Sequence, residues 1–182
     1  MDKKELKILG TLDTIVRQES ACATIDQIVW RVERKLTQDS AALLAWEPVP
    51  LATYSRRLPD IIRSSWVFVL RAQANTGAER HPNSRQRMMS YIGSGDLQIW
   101  DGERWCSNFL FSNVNTPIES RWLSIPPNVW HQAVVPKENW VVVSFHTVPE
   151  DELIEERPDA TDTRLTHRRK YMKELKSYEP PP

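Results

Sequence analysis

Four side chains in this sequence have the types and spacing from which a small metal site can be built. Glu79 and His81 stand two apart, so in an extended segment both point to the same side. Gln86 opens the next apolar run, and Gly93 sits at the turn that closes it. Further on, the turn Pro126-Pro127-Asn128-Val129-Trp130 delivers His131 at the head of another strand. Polar groups aimed inward from neighbouring strands are what a divalent ion with open coordination positions requires. Side chains that alternate with these donors should line the same space. They are Met88 and Ser90 after Gln86 and Ala133 after His131, with Trp130 nearby; Ile92 and Val135 share the alternation but read as ordinary barrel packing. Such a lining is mainly apolar with few polar groups, which suits a small organic ligand better than a polysaccharide.

The two stretches resemble the paired motifs of the cupin superfamily. The family's first motif has two ligands spaced X-x-His, a third five residues on, and a glycine seven beyond that. Glu79, His81, Gln86 and Gly93 reproduce those intervals. The second motif sets a proline five residues before a histidine, with a glycine between. Pro126 and His131 match it, and Asn128, which tolerates a left-handed backbone, stands in for the glycine. With its flanking strands the resemblance spans about residues 62 to 148, about half the chain. It implies a mainly β fold, the cupin double-stranded β-helix or jelly-roll barrel, with a divalent metal ion held by Glu79, His81, Gln86 and His131.

This chain departs from the family pattern in several places. The family usually has histidine where Glu79 stands and glutamate where Gln86 stands; Val135 and Ser120 replace a customary asparagine and glycine. Two histidines and one carboxylate remain, the facial set of non-haem iron, with manganese, nickel and zinc as further candidates. Gln86 can offer a carbonyl oxygen but adds no charge. The resemblance implies a metal-dependent enzyme acting on a small molecule, with dioxygenase-like chemistry first and isomerase or lyase chemistry next. The altered positions 79 and 86 support a second reading, a non-catalytic small-molecule-binding or sensor cupin.

Several other residues have structural readings. Glu79 could instead pair with Arg80 or Arg85 at the rim. Arg80, Arg85 and Arg87 read as a solvated face, His146 as a packed histidine, His167 as solvent-facing, and Cys106 as a buried small hydrophobe.

The elements that must position the site fall into three zones. Residues 1–47 lack proline and read as two helices. The first follows a capping box of Asp2 and Glu5, the second one of Thr24 and Gln27, and each carries an apolar stripe. Those stripes must cover a barrel face or pair with a second copy of the chain as a homodimer. Residues 48–148 hold short apolar runs broken by tight turns, the pattern of an antiparallel barrel. Six of the eight tryptophans fall between Trp66 and Trp140, which marks this zone as the structural heart. Residues 149–182 run from acidic to basic and read as a charged tail with a short surface helix.

Composition sets the outer limits. Twenty-four Lys+Arg balance twenty-four Asp+Glu, so no global field favours nucleic acid or an anionic membrane as partner. Cys22 and Cys106 are too few and too far apart for a cysteine-rich zinc module. The charged first residues lack a secretory h-region, and no apolar run nears the ~20 residues of a membrane span. A soluble, cytoplasmic protein is the expectation.

Overall fold

The computed structural model describes residues 2–54, 58–159, 161 and 166–170. Helix α1 (Lys3–Val16) starts at Asp2, whose Oδ1 accepts the Glu5 amide at 2.7 Å. It buries Leu9, Leu12, Ile15 and Val16. Helix α2 (Glu19–Gln38) buries Ala21, Ile25, Ile28, Val29, Val32 and Leu36. The capping box expected at Thr24 and Gln27 is not used. Gln18 is the N-cap, and Thr24 Oγ1 donates to the Ser20 carbonyl at 3.1 Å inside the helix. Burial of Ala21 on the same stripe as Ile25 favours helix a full turn upstream of that box.

The strands are β1 (Leu44–Pro48), β2 (Ser64–Leu70), β3 (Gln86–Ile92), β4 (Ser94–Trp100), β5 (Trp105–Cys106) and β6 (Phe109–Phe111). They continue with β7 (Trp122–Ile125), β8 (His131–Val134), β9 (Trp140–His146), β10 (Ile154–Pro158) and β11 (Thr166–Lys170). One antiparallel sheet runs β1-β2-β9-β3-β7. In the other, β8 lies along one edge of β4, and β5 and β6 lie along the opposite edge. The two sheets form the walls of a jelly-roll barrel.

Alternation along β9 shows how the layers are held. Val141, Val143 and Phe145 join the helices in one apolar cluster, while Trp140 and Val142 join Leu97, Leu110 and Ala133 between the sheets. A strand buried on both faces reads as a continuous apolar run, as Trp-Val-Val-Val does here. The helices therefore cover the outer face of the five-stranded sheet, the first of the two arrangements their stripes allowed.

Two ion pairs pin α1 to that sheet. Asp13 Oδ1 accepts from the Arg121 guanidinium and, at 2.8 Å, from Trp122 Nε1. Arg87 was expected on a solvated face but is 2% exposed, because its strand position points under α1. There its Nε and Nη2 donate to Glu5 at 2.6 and 3.1 Å, and Ser124 Oγ donates to the same carboxylate at 2.7 Å. Burial would raise the Glu5 pKa, but Arg87 and Ser124 outweigh it and hold it below the ordinary 4.5. Arg87→Met should therefore cost about 1–3 kcal/mol at pH 7. This is less than the ~3–5 kcal/mol of a fully dry pair, because Glu5 sits at an edge and keeps Ser124. A depressed carboxylate stabilises the fold above its unfolded pKa and loses that contribution as pH falls through its folded value. Denaturant melts of wild type should thus weaken on acidification below about pH 4.5, more steeply than those of the variant.

Two further expectations are corrected. Where a surface helix was expected after Pro149, β10 and β11 form an antiparallel hairpin that sets Glu155 opposite Arg169 and Glu156 opposite Arg168. Acidic and basic blocks that would share one helix neutralise each other across strands, and β10 also pairs with the backbone of Arg80. Arg164, Lys173 and the rest of the expected helix beyond Lys170 lie outside the described residues. Cys106 is half-exposed rather than buried, because its two-residue strand lies at a sheet edge. Its thiol donates to Asp101 Oδ2 at 3.1 Å. His167 is exposed, as read. Among the described residues, no helix is long and apolar enough to cross a membrane.

Candidate metal centre

The two motif segments meet through backbone. The Glu79 amide donates to the His131 carbonyl at 2.9 Å, and the His131 amide returns the bond at 2.8 Å. Asn128, in the left-handed region at φ 65°, directs its amide to the His81 carbonyl at 3.0 Å. The turn that replaced glycine by asparagine thus ties the second motif to a residue of the first. Gly93 adopts φ 80° at the turn closing β3.

These bonds bring Glu79, His81 and His131 together. One donor atom from each lies within 4.8 Å of the others, and the two imidazole rings are 5.5 Å apart. Two donors on one ion at ~2.0–2.2 Å can be at most ~4.4 Å apart, so a few tenths of an ångström of contraction would close this set on an ion. Both histidines are buried, and Glu79 sits half-buried at the rim.

Ring orientation follows from hydrogen bonds on the far nitrogens. His81 Nδ1 lies 3.0 Å from the Ile154 carbonyl, and His131 Nδ1 lies 3.0 Å from the Val129 carbonyl. A carbonyl can only accept, so both Nδ1 atoms carry a proton, and in a neutral ring Nε2 is then the nitrogen whose lone pair can bind a metal. His131 Nε2 is buried, makes no hydrogen bond among the described residues, and stands 3.5 Å from Glu79 Oε1. A lone pair facing a carboxylate oxygen is unfavourable unless a proton or a cation lies between them. The donor chemistry therefore fits a divalent ion.

Electrostatics set the charge of two of the three groups. Burial would raise the Glu79 pKa, but His131, Arg157 and His81 outweigh it and set it at about 2. Burial is the largest influence on His81 and lowers it to about 4, so the ring is neutral at pH 7. The Glu79 carboxylate and the His81 imidazole are thus in the protonation states a metal needs.

Gln86, Met88 and Ala133 line a narrow cavity together with Glu79, His131, Thr76, Phe68, Leu97 and Val142. Gln86 Nε2 donates to Ser144 Oγ at 3.4 Å, and its Oε1 is buried with no hydrogen-bond partner among the described residues. Water centres can occupy about 30 Å³ of the cavity, where roughly 10–15 Å³ admits one water. That is room for about two or three waters, or a group of a few heavy atoms.

Two residues expected in the pocket lie elsewhere. Ser90 is buried, but its Oγ accepts from Trp140 Nε1 at 2.9 Å and donates to the Gly93 carbonyl at 3.1 Å. Trp130 stacks under the Arg80 guanidinium, 4.5 Å from ring centre to Cζ, on the outside of the rim. A register shift between Ser90 and Ile92 turns Ile92 outward, and Val135 packs in the core between the sheets.

His146 belongs to the surroundings of the site more closely than its reading as a packed histidine implied. Its ring lies 5.1 Å from that of His81, edge to face. Its nitrogens are engaged by Ser84 Oγ at 3.3 Å and Ser144 Oγ at 2.9 Å, and burial pushes its pKa well down. It is a neutral, hydrogen-bonded neighbour that reaches Gln86 through Ser144. Its alternation with Ser144 and Val142 along β9 was the signal that it faces inward.

No protein-family model matches the chain, and no curated protein does. Similar solved structures include coconut cocosin (TM-score 0.48, 16% identity), covering 63% of this chain and 28% of that one. Pumpkin seed globulin has TM-score 0.47 and 18% identity, with the same coverage. Oxalate oxidase in complex with the substrate analogue glycolate has TM-score 0.46 and 14% identity, covering 60% of this chain and 54% of that one. This chain spans less than a third of each globulin chain and about half of the oxidase chain.

Proposed function

We infer that this barrel of the cupin superfamily holds one divalent metal ion on Glu79, His81 and His131 and acts on a small organic molecule in the adjoining cavity. The observation that carries the reading is the buried His131 Nε2, which has no hydrogen bond among the described residues and faces Glu79 Oε1 at 3.5 Å. Three protein donors leave coordination positions open, as catalytic sites do. A bound ion would supply Lewis acidity, and iron would add dioxygen chemistry, which is why a dioxygenase-like reaction is put ahead of isomerase or lyase chemistry.

The chain's own residues do the rest. Glu79 supplies negative charge, and Gln86, tethered by Ser144, presents its Oε1 either as a fourth donor or as an acceptor for a ligand hydroxyl. Phe68, Met88 and Val142 from one sheet and Leu97 from the other keep the lining apolar, exclude bulk water and limit the ligand to a few heavy atoms. A second reading, ligand binding without catalysis, has its own support: Glu79 is the one anionic donor of the set and Arg157 already contacts it.

Metal analysis of the purified full-length protein separates the two. About one ion per chain is expected for the metal reading, and no metal in any preparation favours the binding protein. Gln86→Glu should tighten divalent-ion affinity by about tenfold, roughly 1.4 kcal/mol, by adding a carboxylate beside the ion. Unchanged affinity would mean that residue 86 does not face it.

A further inference from the structure

Strand β10 lies in neither barrel sheet, yet it touches two of the three donors. The rim segment carrying Glu79 and His81 is paired on both sides. Glu79 exchanges backbone bonds with His131 of β8, and Arg80 exchanges them with Glu156 of β10 at 3.0 and 2.9 Å. From β10 the Ile154 carbonyl meets His81 Nδ1 at 3.0 Å, and Arg157 Nη2 donates to Glu79 Oε2. Asn83 strengthens the docking: its Nδ2 donates to the Glu152 carbonyl at 2.8 Å and its Oδ1 accepts the Ile154 amide at 3.1 Å.

We propose that β10 is part of the metal site and that Arg157 is a positioning residue, acting through Glu79 to aim one carboxylate oxygen at the ion. The proposal rests on the metal reading above. All three guanidinium nitrogens of Arg157 are committed to the protein. Nε donates to Glu155 Oε1 at 2.7 Å, Nη1 to the Thr76 carbonyl at 2.9 Å, and Nη2 to Glu79. A guanidinium so engaged is a clamp rather than a free anchor for an anionic ligand. Glu155 is fully buried and receives Arg169 of β11 at 2.7 and 3.0 Å, so the hairpin braces the clamp from behind. With Oε2 held by Arg157, Oε1 is the oxygen left beside His131 Nε2, which makes Glu79 a one-oxygen donor. The Ile154 carbonyl does the equivalent for His81 by fixing its proton on Nδ1. Partners of this kind orient metal ligands, and losing one typically weakens affinity by ~10–100-fold.

The test uses full-length protein and Co²⁺ as the probe. Wild type is expected to bind about one Co²⁺ per chain with a defined visible absorption. Arg157→Gln should melt cooperatively yet bind Co²⁺ ~10–100-fold more weakly, with shifted absorption bands because Glu79 is no longer aimed. Arg157→Lys, which restores the charge but not the fork, should recover part of both. An Arg157→Gln protein with wild-type affinity and spectrum overturns the role of Arg157 and leaves the metal reading standing. Should that variant not fold, Arg157→Lys decides alone: a weaker, spectrally altered site supports the clamp, and an unchanged one overturns it. Failure of wild type to bind Co²⁺ overturns both readings.

Discussion

His131→Ala should bring bound metal from about one ion per chain to below about a tenth, while the barrel still melts cooperatively. The set contains three protein donors, and the loss leaves only Glu79 and His81. If a structural ion binds four ligands with ~10–16 kcal/mol, one donor is worth roughly 3 kcal/mol, a hundredfold or more in affinity. The stability cost is smaller. The substitution removes a buried ring and its bond to the Val129 carbonyl, about 1–3 kcal/mol, beside a cavity that is already there. His146→Ala is the matched control. It removes an equally buried imidazole 5.1 Å from His81, but one whose nitrogens serve Ser84 and Ser144, so metal content should survive. Metal analysis of both proteins checks this. Metal retained in His131→Ala and lost in His146→Ala would move the centre to a different set of donors.

The largest expected effect on folding is at Gly95. A Cβ added there would lie 2.2 Å from Trp140 Cε3 and 2.6 Å from two further ring atoms. The ring cannot yield, because Trp140 is fully buried between the sheets and its Nε1 is fixed to Ser90 Oγ. Gly95→Ala should therefore cost at least the ~3 kcal/mol at the top of the usual overpacking range. In a chain of this length that lowers the melting temperature by roughly 6–12 °C. Gly102→Ala, where nothing lies within 4 Å, is the comparison. It meets only the backbone strain of φ 109° and should cost about 1 kcal/mol. Equal melting temperatures for the two proteins would show that β4 and β9 do not approach as closely as described. The same indole accounts for Ser90, whose hydroxyl is used in holding it rather than in lining the cavity.

The sequence by itself determined that the middle of the chain becomes short strands, where the tight turns between them fall, and which residue types could reach a metal. Those are local properties. Period-two alternation, turn residues and the Pro126–His131 spacing act over a few residues and remain visible in the chain. Asn128 shows this well, since its tolerance for a left-handed backbone was readable from its type alone and is what the turn uses.

Tertiary structure decided the partners, because partners are set by contacts that sequence spacing does not encode. Arg87 looked like a surface charge until α1 placed Glu5 over it, 82 positions away in the chain. Trp130 lay next to a donor in sequence but turned outward to Arg80, and His146 turned inward towards the rings. The C-terminal segment changed most. Its acidic block followed by a basic one suited a solvated helix, yet pairing Glu155 and Glu156 against Arg169 and Arg168 made a hairpin, which puts Arg157 on Glu79 and the Ile154 carbonyl on His81. Local pattern chose the donors, and long-range pairing decided how they are aimed.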